Sequence, residues 1–262
     1  AERAHRVCSP DATIMIMGMV DHDAVRWAVE QGVSFYVFDR SRLETALDAS
    51  DAFGRPARIH LELETGLNRT GLDHDELLEI VGLIRGHPSR VILEGLCTHY
   101  AGAESIANYS RVHEQYACFQ RLCKALKRRG IIPQYYHSAC SAAALIYPDT
   151  IMDLVRFGIA HYGLWPSMET KMKNLLSEDS KFTRDPIKTV LSWKTRVMSV
   201  KKVQRGNFIN YGNAFLATKN MSLATIPIGY YHGYNRSLSN FGYVLIHGRK
   251  AEVVGMVNIQ YV

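Results

Sequence analysis

The sequence predicts an α/β unit followed by a mostly β unit, on three observations. Apolar, strand-like runs alternate with amphipathic helical runs through residues 13–155. Past Pro166 the texture changes to a polar stretch, residues 167–186, that carries several Lys and Arg. From Val190 onward one strand-like run follows another, joined by glycines and polar turns with little room for helices. A chain of 262 residues, 47% of them hydrophobic, can bury the core that such an arrangement needs.

The elements justify themselves in order. Residues 13–17 (TIMIM) read as a strand, Asp21 as the cap of an amphipathic run to Glu30, and residues 34–38 (SFYVF) as a second strand. A helix over residues 42–49 leads to a strand over 58–63 (RIHLEL). Asp73 then caps a helix through Leu83, which leads to the strand Val91–Cys97. A long helix over residues 106–127 is stopped by Gly130 and Pro133, and strands at Tyr135–His137 and residues 151–155 complete the set. Strands separated by helices make parallel βαβ units, and so many in succession point to a barrel or a doubly wound sheet. No internal repeat is visible. Residues 167–186 read as a long loop or linker with room for one short helix. The runs VLSWKTRVMSV, NFINYG, MSLATIPI, GYVLIHG and AEVVGMVNI build the β unit, so the domains divide as residues 1–186 and 187–262.

Charge and cysteines exclude several classes of function. The net charge of +6 and pI near 9.0 are modest. The densest basic cluster, Lys124, Lys127, Arg128 and Arg129, stands at a helix end, where cations suit the dipole. No aromatic stripe or nucleic-acid motif accompanies it, so no nucleic-acid partner is expected. Five irregularly spaced cysteines without a CxxC pair suggest a reducing compartment, the cytoplasm, and no structural zinc. There is no apolar run of membrane-spanning length and no signal peptide, so no membrane partner is expected. The chain does not begin with Met and opens on AERAHRVCSPDA without a plausible starting element, so a fragment is expected.

The stretch DLVRFGIAHYG, residues 153–163, concentrates the chemistry. Arg156 stands among Leu154, Val155, Phe157 and Ile159, so its guanidinium is expected in a largely buried place where it needs a partner. Gly158 removes any side chain, and its N–H and that of Ile159 become available to a ligand such as phosphate. A structural salt bridge on a buried strand and a ligand site are the two readings left open by this segment. Other polar residues follow strand ends: Arg69 after RIHLELE, His99 after VILEGLC and Ser141 after QYYHSAC. In parallel α/β barrels that end of the strands carries the active site. A lone His99 is more often a satisfied core or surface histidine, but four such residues converge.

These residues lie in motifs that carry a resemblance. ELETGLNRTG, GLCTHYAGAES, YHSACSAA, DLVRFGIAHYG, FINYGNAF, IPIGYYHGYNR and VVGMVNIQ follow one another as in the alanine racemase family, which the chain resembles from about Thr13 to its end. The resemblance implies a (β/α)8 barrel of TIM type followed by a β domain, here partial and truncated. It also implies pyridoxal 5′-phosphate (PLP) as cofactor, a homodimer, and interconversion of L- and D-alanine as a source of D-alanine for the cell wall. It places the catalytic lysine in a first-strand motif like VKANAYGHG. No such motif occurs and the first lysine is Lys124, so this polypeptide alone is expected to be inactive.

PLP bound to an amino acid acidifies the α-hydrogen, and a racemase needs one base on each face of that carbon. By the resemblance one base is the PLP lysine and the other is Tyr211 of INYG. A phenol titrates near pH 10, so cationic neighbours must help it act as a base. His99 and Arg156 match the residues that link this tyrosine to the cofactor ring. Arg156 would face the pyridine nitrogen, and because a guanidinium keeps its proton the ring would be a weaker electron sink. Ser141 and the backbone N–H groups of Gly158 and Ile159 match the phosphate site; read by itself, Ser141 is the N-cap of the helix before AAALI. Arg69 matches the arginine at the cofactor's phenolic oxygen and the substrate carboxylate, and Tyr230 a tyrosine at the substrate entrance. Glu62 stands where many relatives carry a carbamylated lysine, and a pair with Arg69 is expected. Cys140 replaces the usual asparagine and His232 the usual aspartate. Ile259 and Gln260, near the substrate carboxylate and methyl group, replace a Met-Asp or Met-Asn pair. Those two departures leave open a racemase of serine or another amino acid, and a missing lysine leaves open a non-catalytic PLP-binding or dimerisation module.

Overall fold

Five parallel strands lie in strict sequence order: β1 (Met15–Ile16), β2 (Ser34–Val37), β3 (Ala57–Glu62), β4 (Val91–Cys97) and β5 (Tyr135–His137). Each new strand joins beside its predecessor, so the sheet winds one way, as a barrel does. A doubly wound sheet would reverse its order at a switch point. The alternative left open by the alternation is thereby decided for a partial barrel. This computed structural model describes residues 1–176 and 185–262, which fall into two compact units, Ala1–Val190 and Leu191–Val262.

In the first unit α2 (His22–Gln31) follows β1, α3 (Arg40–Phe53) follows β2, α4 (His74–Gly86) follows β3 and α5 (Tyr109–Arg128) follows β4. Side-chain caps start three of them. Asp21 accepts from the Ala24 N–H at 2.7 Å, Asp39 from the Arg42 N–H at 2.7 Å, and Asp73 forms a full capping box with Glu76. Gly32, with φ of 67°, closes α2 in the left-handed conformation that only glycine adopts without strain. Phe35, Ile59, Leu61 and Leu96 from the strands pack with Leu43, Ile80 and Phe119 from the helices in one core. β2 is buried along its whole length, as a parallel strand covered on both faces must be.

The structure departs from the sequence reading in several places. The opening residues form a short helix, α1 (Glu2–Val7), with no buried residue. The helix expected over 42–49 begins at Arg40, because Asp39 caps it, and runs to Phe53, where Gly54 ends it. The first three residues of the long helix, Ile106–Asn108, form a 3-10 turn before α5. No strand forms over residues 151–155. The Asp153 carboxylate takes the Tyr136 N–H at 2.7 Å, a donor that a ladder would have given to a backbone carbonyl, so pairing beside β5 shrinks to an isolated bridge between Cys140 and Arg156. Past β5 come α6 (Ser141–Ile146) and α7 (Met168–Leu175), the latter capped by Ser167. The rest of the expected polar linker, residues 177–184, lies outside the described residues.

The second unit consists of three antiparallel pairs: β6 (Ser199–Val203) with β9 (Met221–Thr225), β7 (Phe208–Ile209) with β8 (Phe215–Leu216), and β10 (Tyr243–Ile246) with β11 (Arg249–Glu252). The run expected as a strand from Val190 is one only from Ser199. Its partner β9 ends at Thr225, whose carbonyl takes the Met198 N–H at 2.7 Å, and no ladder remains for the residues before it. The last run likewise leaves its strand at Glu252.

Candidate active site

Loops after the C-terminal ends of β3, β4 and β5 deliver Arg69, His99 and Ser141 to one cavity of about 450 Å³, which Arg156, Gly158 and Ile159 also line. Six of the residues singled out in the sequence are thus brought together within the first unit. The volume suits a small cofactor or substrate.

Arg156 is half-buried, while Val155, Phe157 and Ile159 around it are exposed; with no strand there, the apolar run does not enclose it. Its guanidinium makes no salt bridge among the described residues. Nη1 donates to Nδ1 of His137 at 2.5 Å and to the His137 carbonyl at 3.1 Å; Nη2 donates to the carbonyls of Thr98 at 2.6 Å and Ser138 at 2.8 Å. The four Nη hydrogens are thus accounted for, and among the described residues nothing accepts from Nε–H.

His99 lies close to two guanidinium charges. Burial first, then the charges of Arg156 and Arg69, lower its pKa to about 4, so the imidazole is neutral at neutral pH. Its neutral ring can donate from one nitrogen and accept at the other.

Ser141 is the first residue of α6, and Cys140 rather than Ser141 holds the N-cap position. Its hydroxyl oxygen accepts the Gly158 N–H at 2.9 Å, so two groups expected to act side by side on a phosphate are bonded to each other. The Ser141 hydroxyl keeps its own hydrogen as a donor. A Cβ added at Gly158 would meet nothing within 4 Å, so open space adjoins this backbone.

Glu62 is buried, but the expected pair with Arg69 is not formed among the described residues. Its carboxylate accepts from the Thr70 hydroxyl at 2.7 Å. The loop between them is shaped by Glu64, whose carboxylate binds the N–H groups of Gly66 and Asn68, the latter at 2.9 Å. Gly71 closes the loop at φ of 123°, where a Cβ would come within 2.8 Å of the Glu64 nitrogen. This curvature turns Thr70 toward Glu62.

Two residues that sequence reasoning missed belong to this region. His137, fully buried at the end of β5, stands against Arg156; burial, then the charge of Arg156 and the nearby His60, push its pKa down to about 2. Its position at the end of a predicted strand was the available signal, the same one that pointed to His99. Tyr36 lines the cavity with a buried hydroxyl that has no hydrogen-bond partner among the described residues, and burial raises its pKa above the usual range. A strand buried on both faces has no alternation to show which residues point at a cavity.

The remaining predicted residues belong to the second unit. Tyr211 is 77% exposed, on a 3-10 turn whose entry residue Asn210 accepts its N–H at 2.7 Å and donates to the Met256 carbonyl at 2.7 Å. The Tyr230 N–H donates to the Asn258 carbonyl at 3.0 Å and the Tyr231 N–H to the Ile259 carbonyl at 2.9 Å. Tyr211, Tyr230 and Ile259 are therefore held on one set of hydrogen-bonded loops. Gln260 follows Ile259 and is exposed. Among the described residues no cluster of His, Cys, Asp or Glu could hold a metal, and no helix is long and apolar enough to cross a membrane.

Comparison with known proteins gives a consistent result. Residues 3–166 match the family described as alanine racemase, N-terminal domain, and residues 190–262 that described as alanine racemase, C-terminal domain. Alanine racemase 2 of Oceanobacillus iheyensis is 34% identical over 248 residues, covering 94% of this chain and 59% of that protein. Alanine racemase of Geobacillus stearothermophilus is 37% identical over 248 residues, covering 94% of this chain and 60% of that protein. The chain thus spans about 60% of the length of these relatives. The solved alanine racemase of Streptomyces coelicolor A3(2) superposes with a TM-score of 0.87 at 29% identity, covering 99% of this chain and 67% of that one.

Proposed function

The chain belongs to the alanine racemase family, and from that premise we propose that the protein interconverts L- and D-alanine with PLP as cofactor and Tyr211 as one of two bases. The observation that carries this reading is the state of Arg156. Its four Nη hydrogens are committed to the protein while Nε–H is left over at a cavity that also holds Arg69, His99 and Ser141. A lone donor suits a ring nitrogen, and the open space beside Gly158, next to the Ser141 hydroxyl, suits a phosphate. The residues present therefore fit the cofactor.

When bound, PLP withdraws electrons from an attached amino acid and acidifies its α-hydrogen. Arg156 would hold the ring through Nε–H and, being unable to give up that proton, leave the ring nitrogen as an acceptor. The Ser141 hydroxyl and the Ile159 N–H would hold the phosphate, and Arg69 the substrate carboxylate. The deprotonated Tyr211 oxygen would take a proton from the α-carbon of one enantiomer and return it to form that enantiomer, while neutral His99 would stay an uncharged member of the cavity. Tyr230, Ile259 and Gln260 would border the substrate. We place the second base on a lysine carrying the cofactor. The working form is a cytoplasmic homodimer that supplies D-alanine, and sedimentation of the full-length protein at twice its monomer mass checks the dimer.

The test replaces Tyr211 by Phe in the full-length protein. Racemisation should fall by about 10²- to 10⁴-fold, the usual worth of a positioned base. Solvent deuterium should still enter one enantiomer of alanine much faster than the other. Equal residual exchange into both would remove Tyr211 from the mechanism, and faster turnover of serine than of alanine would overturn the substrate.

A further inference from the structure

Three polar side chains on adjacent strands are buried deeper than anything the proposed chemistry uses: His137 on β5, His60 on β3 and Glu94 on β4, exposed by 0%, 3% and 2%. His60 and His137 are separated by the intervening strand β4, yet Nδ1 of His60 lies 2.9 Å from Nε2 of His137. Gly95 makes this possible. It is paired with His60 in the ladder just past a register shift, and a Cβ there would stand 2.0 Å from His60 Nδ1. The ring of His60 thus crosses β4 over a bare backbone.

The direction of every bond in this line follows from one fact: a guanidinium has donors and no acceptor. Arg156 Nη1 donates to Nδ1 of His137, so that nitrogen carries a lone pair and the neutral ring has its hydrogen on Nε2. Nε2 then donates to Nδ1 of His60, which places the hydrogen of His60 on its own Nε2. That N–H faces Glu94 Oε2 at 3.6 Å, an electrostatic contact rather than a hydrogen bond. Glu94 is fixed in turn by the Ser34 hydroxyl and by an ion pair with Arg58. Burial alone would raise its pKa, but the contacts from His60 and Ser34 and the charge of Arg58 outweigh that and hold the carboxyl below its usual range, ionised.

We propose that Glu94, His60 and His137 form a one-way relay that presents a lone pair to Arg156, and that Glu94 and His60 are positioning residues which fix the guanidinium at the cavity without touching any ligand. The relay rests on the reading of Arg156 as a site residue but not on which ligand the site takes. Without an acceptor on His60, the buried Nε2–H of His137 would be unpaired, and rotation of its ring would take the lone pair away from Arg156.

Nitrogen-15 NMR of histidine- and arginine-labelled full-length protein, without substrate, tests this apart from any activity. In the wild type, His60 and His137 should both show a protonated Nε2 and a bare Nδ1; Nδ1–H on either ring would overturn the relay. Glu94→Ala and His60→Phe should each speed hydrogen exchange at the Arg156 Nη1 hydrogens, one of which is donated to His137 Nδ1, by at least about tenfold, equal to about 1.4 kcal/mol. Glu94→Gln, which keeps an acceptor for His60, should restore the slow rate. Exchange unchanged in both disruptive variants, or equally fast in Glu94→Gln, would reduce these residues to packing. A variant that does not fold leaves the wild-type ring signals to decide. Loss of racemisation with both tautomers as stated would count against the proposed function and not against the relay.

Discussion

Acid should unfold this protein through His137, by an amount that the buried site fixes. The folded protein holds this imidazole neutral down to about pH 2 because it is desolvated, faces the Arg156 charge and lies next to His60. An unfolded histidine titrates near 6.5. A group whose pKa is depressed by folding takes up its proton only in the unfolded chain as pH falls, so its contribution is complete above about pH 6.5 and is lost below it. The loss is about 1.4 kcal/mol per pH unit, or about 2.7 kcal/mol between pH 7.5 and 4.5. The window closes above pH 4, so the magnitude is set by the unfolded imidazole and the depressed carboxyl of Glu94 has little part in it. His99, also depressed, acts in the same sense by a smaller amount because it is only half-buried. The assay is urea unfolding at 25 °C across that range for the wild type and for His137→Asn, whose amide oxygen can still accept from Arg156. The wild type should lose about 2.7 kcal/mol more than the variant between the two pH values. Curves that run parallel within about 0.5 kcal/mol would show that His137 is not held neutral, and with it would go the fixed lone pair offered to Arg156.

Two further outcomes follow from single contacts. Glu62→Gln retains the bond from Thr70, and Arg69 makes no pair with Glu62, so kcat/KM should stay within about twofold, or about 0.4 kcal/mol; a larger loss in a steady-state assay would restore the ion pair expected from the sequence. Gly229→Ala would drive a Cβ to 2.1 Å from the Asn258 carbonyl, so the loops that carry Tyr230 and Ile259 must shift at a cost of about 1–3 kcal/mol. Unfolding midpoints equal for the two proteins would refute that close approach.

What the sequence revealed, and what it concealed, divides by the range of the signal. Asp21 and Asp73 could be read as caps because a cap is decided within four residues, and Val91–Cys97 and Tyr135–His137 because apolar runs bounded by turn residues suffice to define a strand. Residues 151–155 look no different locally, yet the Asp153 side chain takes the Tyr136 N–H that a strand would need, and nothing in the apolar pattern announces that. His137 escaped notice for a similar reason. Its partner His60 is 77 residues away and reaches it only across Gly95, so the pairing depends on where three strands stand in a sheet. The expected Glu62–Arg69 pair drew on sequence proximity and charge, and the intervening loop, held by Glu64, turns Thr70 inward instead.

Between a structural salt bridge and a ligand site, the chemistry of the Arg156 partners favours the ligand site proposed above. A carboxylate partner would satisfy the guanidinium and offset its charge at once, leaving little for a ligand to gain. The partners found are three backbone carbonyls and an imidazole lone pair, all neutral. They orient the group and relieve part of its desolvation through dipoles, while its full charge still acts on the cavity. Burial first, and then the charges of Arg156 and Arg69, hold the pKa of His99 down, so this imidazole adds no charge of its own to the cavity at neutral pH. An anion or a ring nitrogen entering the cavity would meet a charge already held in place and a donor already free, so little of its binding energy would be spent on ordering the arginine.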